Sequence, residues 1–443
     1  MTLADGAGAA PLTHRRVLSI ALPIVLSNAT VPLLGAVDTG VIGQLGQAAP
    51  IGAVGIATVI LTGAYWIFGF LRMGTSGLAA QAIGAGDRAE VSAILMRALL
   101  IGGLAGLGFI LGQRLLFALG FALSPASPEV EGLARDYLSV RIWGAPATIA
   151  LYAVNGWLIA REQTRGVLVL QLWMNLVNIG LDLWFVLGLG WGVKGVATAT
   201  LIAEWSGLCL GLWLCRAAFA DRIWRDLARI GDRVQLARMA VVNGDIMLRS
   251  VLLQGAFISF VFLGARFGDV TLAANQVLLQ FLEITAFALD GFAFAAESLV
   301  GQAVGRGLRA EAHRAAWLTS QWGGAGALLL GGLFLTMGPH LIDLMTTEPL
   351  VRVAARGWLP WVALMPVLGI ACWMLDGIFI GATRTRDMRN AMVLTMLIYG
   401  PALVILPGLM GNSGLWLALN LLMVVRGVTL GWLYPRIGQN LRG

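Results

Sequence analysis

The sequence predicts an all-α integral membrane protein with twelve transmembrane helices. Of its 443 residues, 58% are hydrophobic and only 12% are charged, whereas a soluble domain carries roughly 25% charged residues. Apolar stretches of about 20 residues, the length that crosses a hydrocarbon core as a helix, recur between short polar connections. The twelve predicted spans are residues 17–42, 51–74, 91–119, 137–160, 167–189, 193–215, 239–264, 271–296, 315–337, 357–382, 391–410 and 413–434.

The basic residues indicate how the spans are oriented. When the connections are assigned alternately to the two sides, nineteen of the 30 Lys and Arg residues fall at the two termini and the even-numbered connections, and six fall at the odd-numbered ones. Positive charge accumulates on the cytoplasmic side of membrane proteins. Both termini are therefore predicted to lie in the cytoplasm, and the net charge of +7 needs no nucleic-acid partner to explain it.

The two halves of the chain repeat one another at an offset of 221 residues. Residues 81–90 (QAIGAGDRAE) recur as residues 302–311 (QAVGRGLRAE), and Asn155-Gly156 recurs as Asp376-Gly377. Because each copy has six spans, both enter the membrane from the same side. They are predicted to form two six-helix bundles related by a pseudo-twofold axis along the membrane normal.

The predicted domains are an N-terminal lobe at residues 1–216, a cytoplasmic linker at residues 217–238 and a C-terminal lobe at residues 239–443. The linker is marked by its arginine and aspartate content.

Two carboxylates fall inside predicted spans of the first lobe, Asp38 in the first and Asp182 in the fifth. Asn178 precedes Asp182 by one helical turn on the same helix face, and Thr200 lies in the sixth span. At a rise of about 1.5 Å per residue, Asp38, Asp182 and Thr200 all lie in the outer half of the membrane. Carboxylates kept where water is scarce usually bind a proton, an ion or a cationic ligand. The pattern predicts a transporter.

The glycines of the repeated motif predict tight turns rather than a phosphate site. No strand precedes them, and the sequence contains no Gly-x4-Gly-Lys-Ser/Thr pattern. No cofactor is predicted, so transport must use an ion gradient or run downhill.

Pro23 and Pro32 precede Asp38 in the first span. Each proline removes a backbone hydrogen bond and lets the helix bend. A bendable helix that carries a titratable acid is suited to act as a switch, and Pro23 is the predicted bending point.

A stripe of acids marks the eighth span, where Glu283, Asp290 and Glu297 recur at seven-residue intervals. This spacing keeps the three side chains nearly in line. Such a stripe is expected to face a wet cavity or counter-charges. Glu283 and Asp290 are predicted substrate or cation residues of the second lobe, whereas Glu297 is expected to be solvated at the cytoplasmic end.

Other charged residues complete the second-lobe prediction. Asp376, the repeat partner of Asn155, is a third candidate for a substrate or cation site. Asp245 and Arg249 are spaced i, i+4 in the seventh span, which favours an ion pair on one helix face. Arg426 is expected to be the counter-ion of an intramembrane acid.

With these residues in place, the sequence resembles the multidrug and toxic compound extrusion (MATE) transporters, and among them the bacterial DinF-like subfamily. The resemblance covers essentially the whole chain. The segments that carry it are Pro23, Val37-Asp38-Thr39, residues 81–86, Asn178 with Asp182, and residues 195–200, 243–250, 289–294 and 375–383.

The resemblance implies a central cavity between the bundles and export of amphiphilic or cationic organic compounds in exchange for H⁺ or Na⁺. It implies a monomer in the bacterial plasma (inner) membrane and bending of the first helix near Pro23. The implied cation-coupling residues of the first lobe are Asp38, Asn155, Asn178, Asp182 and Thr200, with Na⁺ as a possible occupant at Asp38, Asp182 and Asn178.

Two alternatives stay open on the sequence. A lipid or lipid-linked oligosaccharide flippase of the same fold superfamily would need a basic cavity, and the few intramembrane arginines beside several acids favour cationic cargo instead. A membrane-embedded enzyme would need a nucleophile with a histidine base or a metal site. The chain has only three histidines, His14, His313 and His340, and they do not cluster in the sequence.

Overall fold

The structure of the chain, a computed structural model, describes residues 11–44, 48–124, 126–220, 222–439 and 441. The first ten residues and the last two of the predicted lobes lie outside this range. Within the described residues, ten α-helices precede the linker: α1 (His14–Ala29), α2 (Val31–Gly43), α3 (Ala48–Trp66), α4 (Gly69–Gly84), α5 (Arg88–Leu111), α6 (Gln113–Leu123), α7 (Pro128–Arg141), α8 (Ala145–Ala160), α9 (Thr164–Asp182) and α10 (Gly192–Leu214).

The linker contains a short helix, α11 (Leu227–Ile230). The second half is built from longer helices: α12 (Arg233–Gly264), α13 (Asp269–Gly305), α14 (Arg309–Met345), α15 (Pro349–Gly381), α16 (Thr385–Met410) and α17 (Asn412–Leu433).

In the described part of the chain, eleven helical segments are long and apolar enough to cross a membrane. The first predicted span is not among them because it is divided at Thr30 into α1 and α2, which have 16 and 13 residues. Together these two helices cover the predicted span 17–42. The predicted all-α membrane fold is confirmed.

The helix ends repeat with the offset of 221 residues found in the sequence. The equivalent ends are Gly84 and Gly305, Arg88 and Arg309, Ala160 and Gly381, and Thr164 and Thr385. Gly86 and Gly307 of the repeated motif have φ values of +74° and +76°, in the left-handed region that glycine adopts without steric cost. The predicted tight turns are confirmed.

The two bundles meet along α4 and α13, near the end of the molecule that carries the linker. Gln81 donates its Nε2 hydrogen to the carbonyl oxygen of Gly381 at 3.1 Å. Its repeat equivalent, Gln302, donates to the carbonyl oxygen of Ala160 at 2.9 Å. Ala160 and Gly381 are themselves equivalent, so these reciprocal bonds show the pseudo-twofold relation directly.

The hydrophobic cores do not divide at the linker. Val17 and Ile20 of α1 pack in a core with residues of α13, α14 and α15. Met239 and Ile246 of α12 pack in the core of the first half. The first turns of these two helices are thus exchanged between the bundles in space, which ties each bundle to the other half of the chain.

Glycine makes the contact between the bundles possible at Gly305. A methyl group on this residue would meet the backbone carbonyl oxygen of Gln81. We expect Gly305→Ala to lower stability by about 1–3 kcal/mol, measured as a lower temperature of half-maximal loss of the monodisperse peak after heating in detergent.

Gly332→Ala in α14 is the matched control, because a methyl group there meets no atom within 4 Å. Alanine favours helices over glycine, so this variant should be as stable as the parent protein or slightly more stable. Equal melting of both variants would contradict the close packing at Gly305.

Candidate functional site

Thr30 interrupts the first membrane helix beside Pro32, and α1 continues as a helix through Pro23. The carbonyl group of Thr30 accepts a hydrogen bond from Asn175 Nδ2 of α9 at 3.4 Å. On α1, Asn28 Nδ2 donates to the carbonyl oxygen of Phe287 on α13 at 3.1 Å. Neighbouring helices thus satisfy polar groups on both sides of the break, as membrane proteins require.

The structure brings Asp38 of α2 and Asp182 of α9 to one amide. In one amide orientation, Asn178 Nδ2 lies 3.0 Å from Asp38 Oδ1 and 3.3 Å from Asp182 Oδ2, and Asn178 Oδ1 accepts from Thr200 Oγ1 at 3.1 Å. Asp182 is completely buried and Asp38 is half-buried. Four of the five residues predicted for the first-lobe site therefore form one cluster.

The same positions accommodate the opposite amide orientation. There Asn178 Nδ2 donates to Thr200 Oγ1 at 3.1 Å, the hydroxyl donates to the carbonyl oxygen of Val196 at 2.9 Å, and the amide oxygen faces the two acids. A carboxylate only accepts hydrogen bonds, whereas a protonated carboxyl group also donates one. The amide can therefore serve either protonation state by exchanging its two ends.

Asn155, the fifth predicted residue, makes no hydrogen bond to this cluster. Its Oδ1 atom is buried and has no partner among the described residues. The next residue, Gly156, packs against the backbone carbonyl of Arg72 on α4, which places Asn155 at the level of the central cavity. The cause is depth along α8.

The sequence gave no warning of two features beside the cluster. A π-helical segment, Leu183–Gly188, begins directly after Asp182, and such segments often occur at functional sites. Arg141 at the end of α7 forms two hydrogen bonds with Glu204, of 2.6 and 2.9 Å. Glu204 follows Thr200 by one turn of α10. Arg141 could have been noticed as one of the few basic residues inside a predicted span.

A central cavity of about 200 Å³ lies between α4 of the first bundle and helices of the second bundle. Its charged lining residues are Arg72, Arg249, Asp290, Glu297, Asp376 and Arg426. Asp376 forms an ion pair with Arg426, as predicted, and its Oδ2 atom also lies 3.4 Å from Arg249. Of the predicted second-lobe residues, Asp376 and Asp290 line this cavity.

Glu283 does not line the cavity and is exposed two turns farther along α13. The prediction for Glu297 is wrong, since this residue is completely buried and pairs with Arg72 at 3.3 Å. The physical reason is the length of α13, which continues to Gly305 and carries Glu297 into the contact between the bundles.

The predicted ion pair between Asp245 and Arg249 is also wrong. Asp245 bonds to Arg389 at 2.6 Å and to Thr385 at 3.2 Å, and Arg249 turns to Asp376. A partner on another helix displaces the local i, i+4 pairing in both cases, because the closely packed helices bring an opposite charge nearer than the next turn does.

Comparison with known proteins shows the family. The MatE family model matches residues 23–184 and 246–405, one match in each repeated half. The chain is 38% identical over 428 residues to the DNA damage-inducible protein F of Escherichia coli (strain K12), across 95% of this chain and 92% of that protein. It is 26% identical over 459 residues to the probable multidrug resistance protein NorM of Synechococcus sp., across 96% and 94% of the two chains.

A solved structure of a MATE transporter in its bent conformation has the same fold. It superposes with a TM-score of 0.87 over 96% of this chain and 95% of the other, at 19% sequence identity. Family members are transporters and not enzymes, so the membrane-enzyme alternative is excluded. The chain is a member of the MatE family, the multidrug and toxic compound extrusion transporters.

Proposed function

We propose that this chain is a secondary active antiporter that exports amphiphilic and cationic organic compounds in exchange for protons by alternating access. The observation that carries the proposal is the pairing of Asp38 and Asp182 on the single amide of Asn178 inside the membrane-spanning bundle. We place the protein in the bacterial plasma membrane as a monomer with cytoplasmic termini, in agreement with the distribution of its basic residues.

The geometry favours protons over Na⁺ as the coupling ion. In the orientation that satisfies both carboxylates, the amide nitrogen of Asn178 occupies the position between them. A bound Na⁺ would need oxygen ligands on all sides, and a hydrogen-bearing nitrogen repels it. Protons need no such shell, because each carboxyl group receives its proton directly.

The amide of Asn178 gives each protonation state a satisfied arrangement. When both acids are ionised, the amide donates to both; when they are protonated, the amide turns and its oxygen accepts from them, while Thr200 takes the nitrogen. Asp182 Oδ1 is buried and has no other partner among the described residues. Loading the site therefore exchanges a set of hydrogen bonds and leaves no buried charge unpartnered.

This exchange reaches the first membrane helix because Asp38 lies on α2, beyond the break at Thr30. We propose that proton loading shifts α2 relative to α1, with bending near Pro23 as the larger motion that releases the exported compound. Proton and compound then oppose one another's binding by the same factor at equilibrium. The bonds between Gln81 and Gly381 and between Gln302 and Ala160 must break before the inner side opens.

A lipid or lipid-linked oligosaccharide flippase is the second candidate function, and the three cavity arginines favour it. Three acids line the same cavity, so it lacks the net positive charge that an anionic lipid headgroup would need. The antiporter is the better supported function.

We expect Asp38→Asn to reduce drug resistance to the level of cells with an empty vector while folded protein remains in the membrane. The amide cannot carry a proton between the two sides. The measurement is growth in a series of toxic organic cations, with membrane levels checked by immunoblot.

The control is Asp136→Asn, because Asp136 is an exposed acid paired with Lys194 at 3.3 Å on the surface. Resistance should be retained in this variant, since exposed ion pairs contribute little. Normal resistance with Asp38→Asn would overturn the assignment of Asp38.

We expect an imposed proton gradient to drive movement of a fluorescent organic cation in vesicles containing the purified protein. An inward Na⁺ gradient of equal size, with the proton gradient collapsed by an uncoupler, should drive none. Transport on the Na⁺ gradient alone would show that Na⁺ is the coupling ion and would contradict the role given to Asn178 Nδ2.

A further inference from the structure

The central cavity is polarised, with positive charge in excess at one side. The two guanidinium groups of Arg249 and Arg426 share one carboxylate oxygen, Oδ2 of Asp376. Two guanidinium groups offer ten N–H donors between them, so this side has donor capacity left for a second carboxylate. Arg72 does not contribute to the excess, because Glu297 neutralises it at 3.3 Å.

Arg249 has the largest share of that unused capacity. Its side chain is 95% buried, at 5% exposure, and its Nε atom has no hydrogen-bond partner among the described residues. One of its terminal nitrogens reaches only the sulfur atom of Met73, at 3.6 Å. Burying an unsatisfied donor on a charged group is costly, and an acceptor in the cavity would remove this cost.

Asp290 supplies the negative side of the cavity. Its carboxylate lines the cavity and, in the described part of the chain, takes part in no ion pair or side-chain hydrogen bond, whereas Glu297 and Asp376 are both paired with arginines. A cationic group entering the cavity therefore finds one acid that it does not have to separate from an arginine.

We propose that this cavity binds zwitterionic organic compounds, with their carboxylate on Arg249 and Arg426 and their cationic group near Asp290. The inference rests on the proposed export function and names a substrate class for it. At about 200 Å³ the cavity is smaller than the roughly 300–1,000 Å³ of sites for drug-sized ligands. It receives the charged end of the compound, and the aromatic body packs against Phe257, Phe294 and Trp373.

This inference corrects the interpretation of charge made from the sequence. Acids were expected to prevail among the intramembrane charges and to favour purely cationic cargo. In the cavity, three arginines balance three acids, so a pure cation gains attraction from Asp290 and repulsion from the Arg249 side. A ligand with both charges satisfies both sides.

The test uses two fluorescent dyes of nearly equal size, tetramethylrhodamine, which is a zwitterion with a free carboxylate, and its methyl ester, which is a cation. Binding to the purified full-length protein is measured by fluorescence polarisation without any ion gradient. We expect the zwitterion to bind about tenfold more tightly, or about 1.4 kcal/mol. Equal binding of the two dyes would overturn the proposal.

Three variants assign the two charges. Arg249→Met should lower the affinity for the zwitterion to that for the ester and leave Asp376 paired with Arg426. Asp290→Asn should weaken both dyes. Glu283→Gln, on the same helix but exposed and outside the cavity, should change neither. A dye preference that survives in Arg249→Met would contradict the proposal.

The outcome is separable from that of the proposed function. Gradient-driven export and its loss in Asp38→Asn test the antiporter whether or not the dyes are distinguished. Preferential binding of the zwitterion at equilibrium tests the cavity even if no gradient drives export.

Discussion

Each ionisable side chain inside the membrane must have a partner, because neither water nor lipid compensates its charge there. The described structure meets this requirement in two different ways. In the second bundle, arginines from other helices neutralise Asp376, Asp245 and Glu297. In the first bundle, a neutral amide serves Asp38 and Asp182, and an amide cannot neutralise charge. The acids without a basic partner are the ones placed to take up a cation.

Gene duplication produced two bundles of one fold, and the polar residues have since diverged. At the offset of 221 residues, Asp38 corresponds to Ser259, Asp182 to Leu403 and Asn178 to Tyr399. Tyr399 donates to the carbonyl oxygen of Ala256 at 3.0 Å. The second bundle therefore lacks the acids of the first site and instead carries the arginines of the central cavity. Coupling and cargo recognition are separated between the two halves.

The contact between the bundles explains why the cavity closes at one end. Repeat-equivalent residues form it, so each of its main bonds is present twice. Glycine at Gly84 and Gly305 lets the two backbones approach. Hydrogen bonds between a glutamine side chain and a helix end can break without leaving a buried charge, which suits a surface that must separate and reform in each transport cycle.

The sequence by itself determined the membrane class, the number of crossings, the duplication with its offset, the tight turns at Gly86 and Gly307, and the acids of the first bundle. These depend on hydropathy, chain length and local backbone conformation, which are written along the chain. Only the tertiary structure decided the position of the helix break at Thr30, the partners of Asp245 and Glu297, and the separation of Asn155 from the cluster. Each of these depends on the rotation and depth of one helix against another, and a sequence of apolar spans does not specify either.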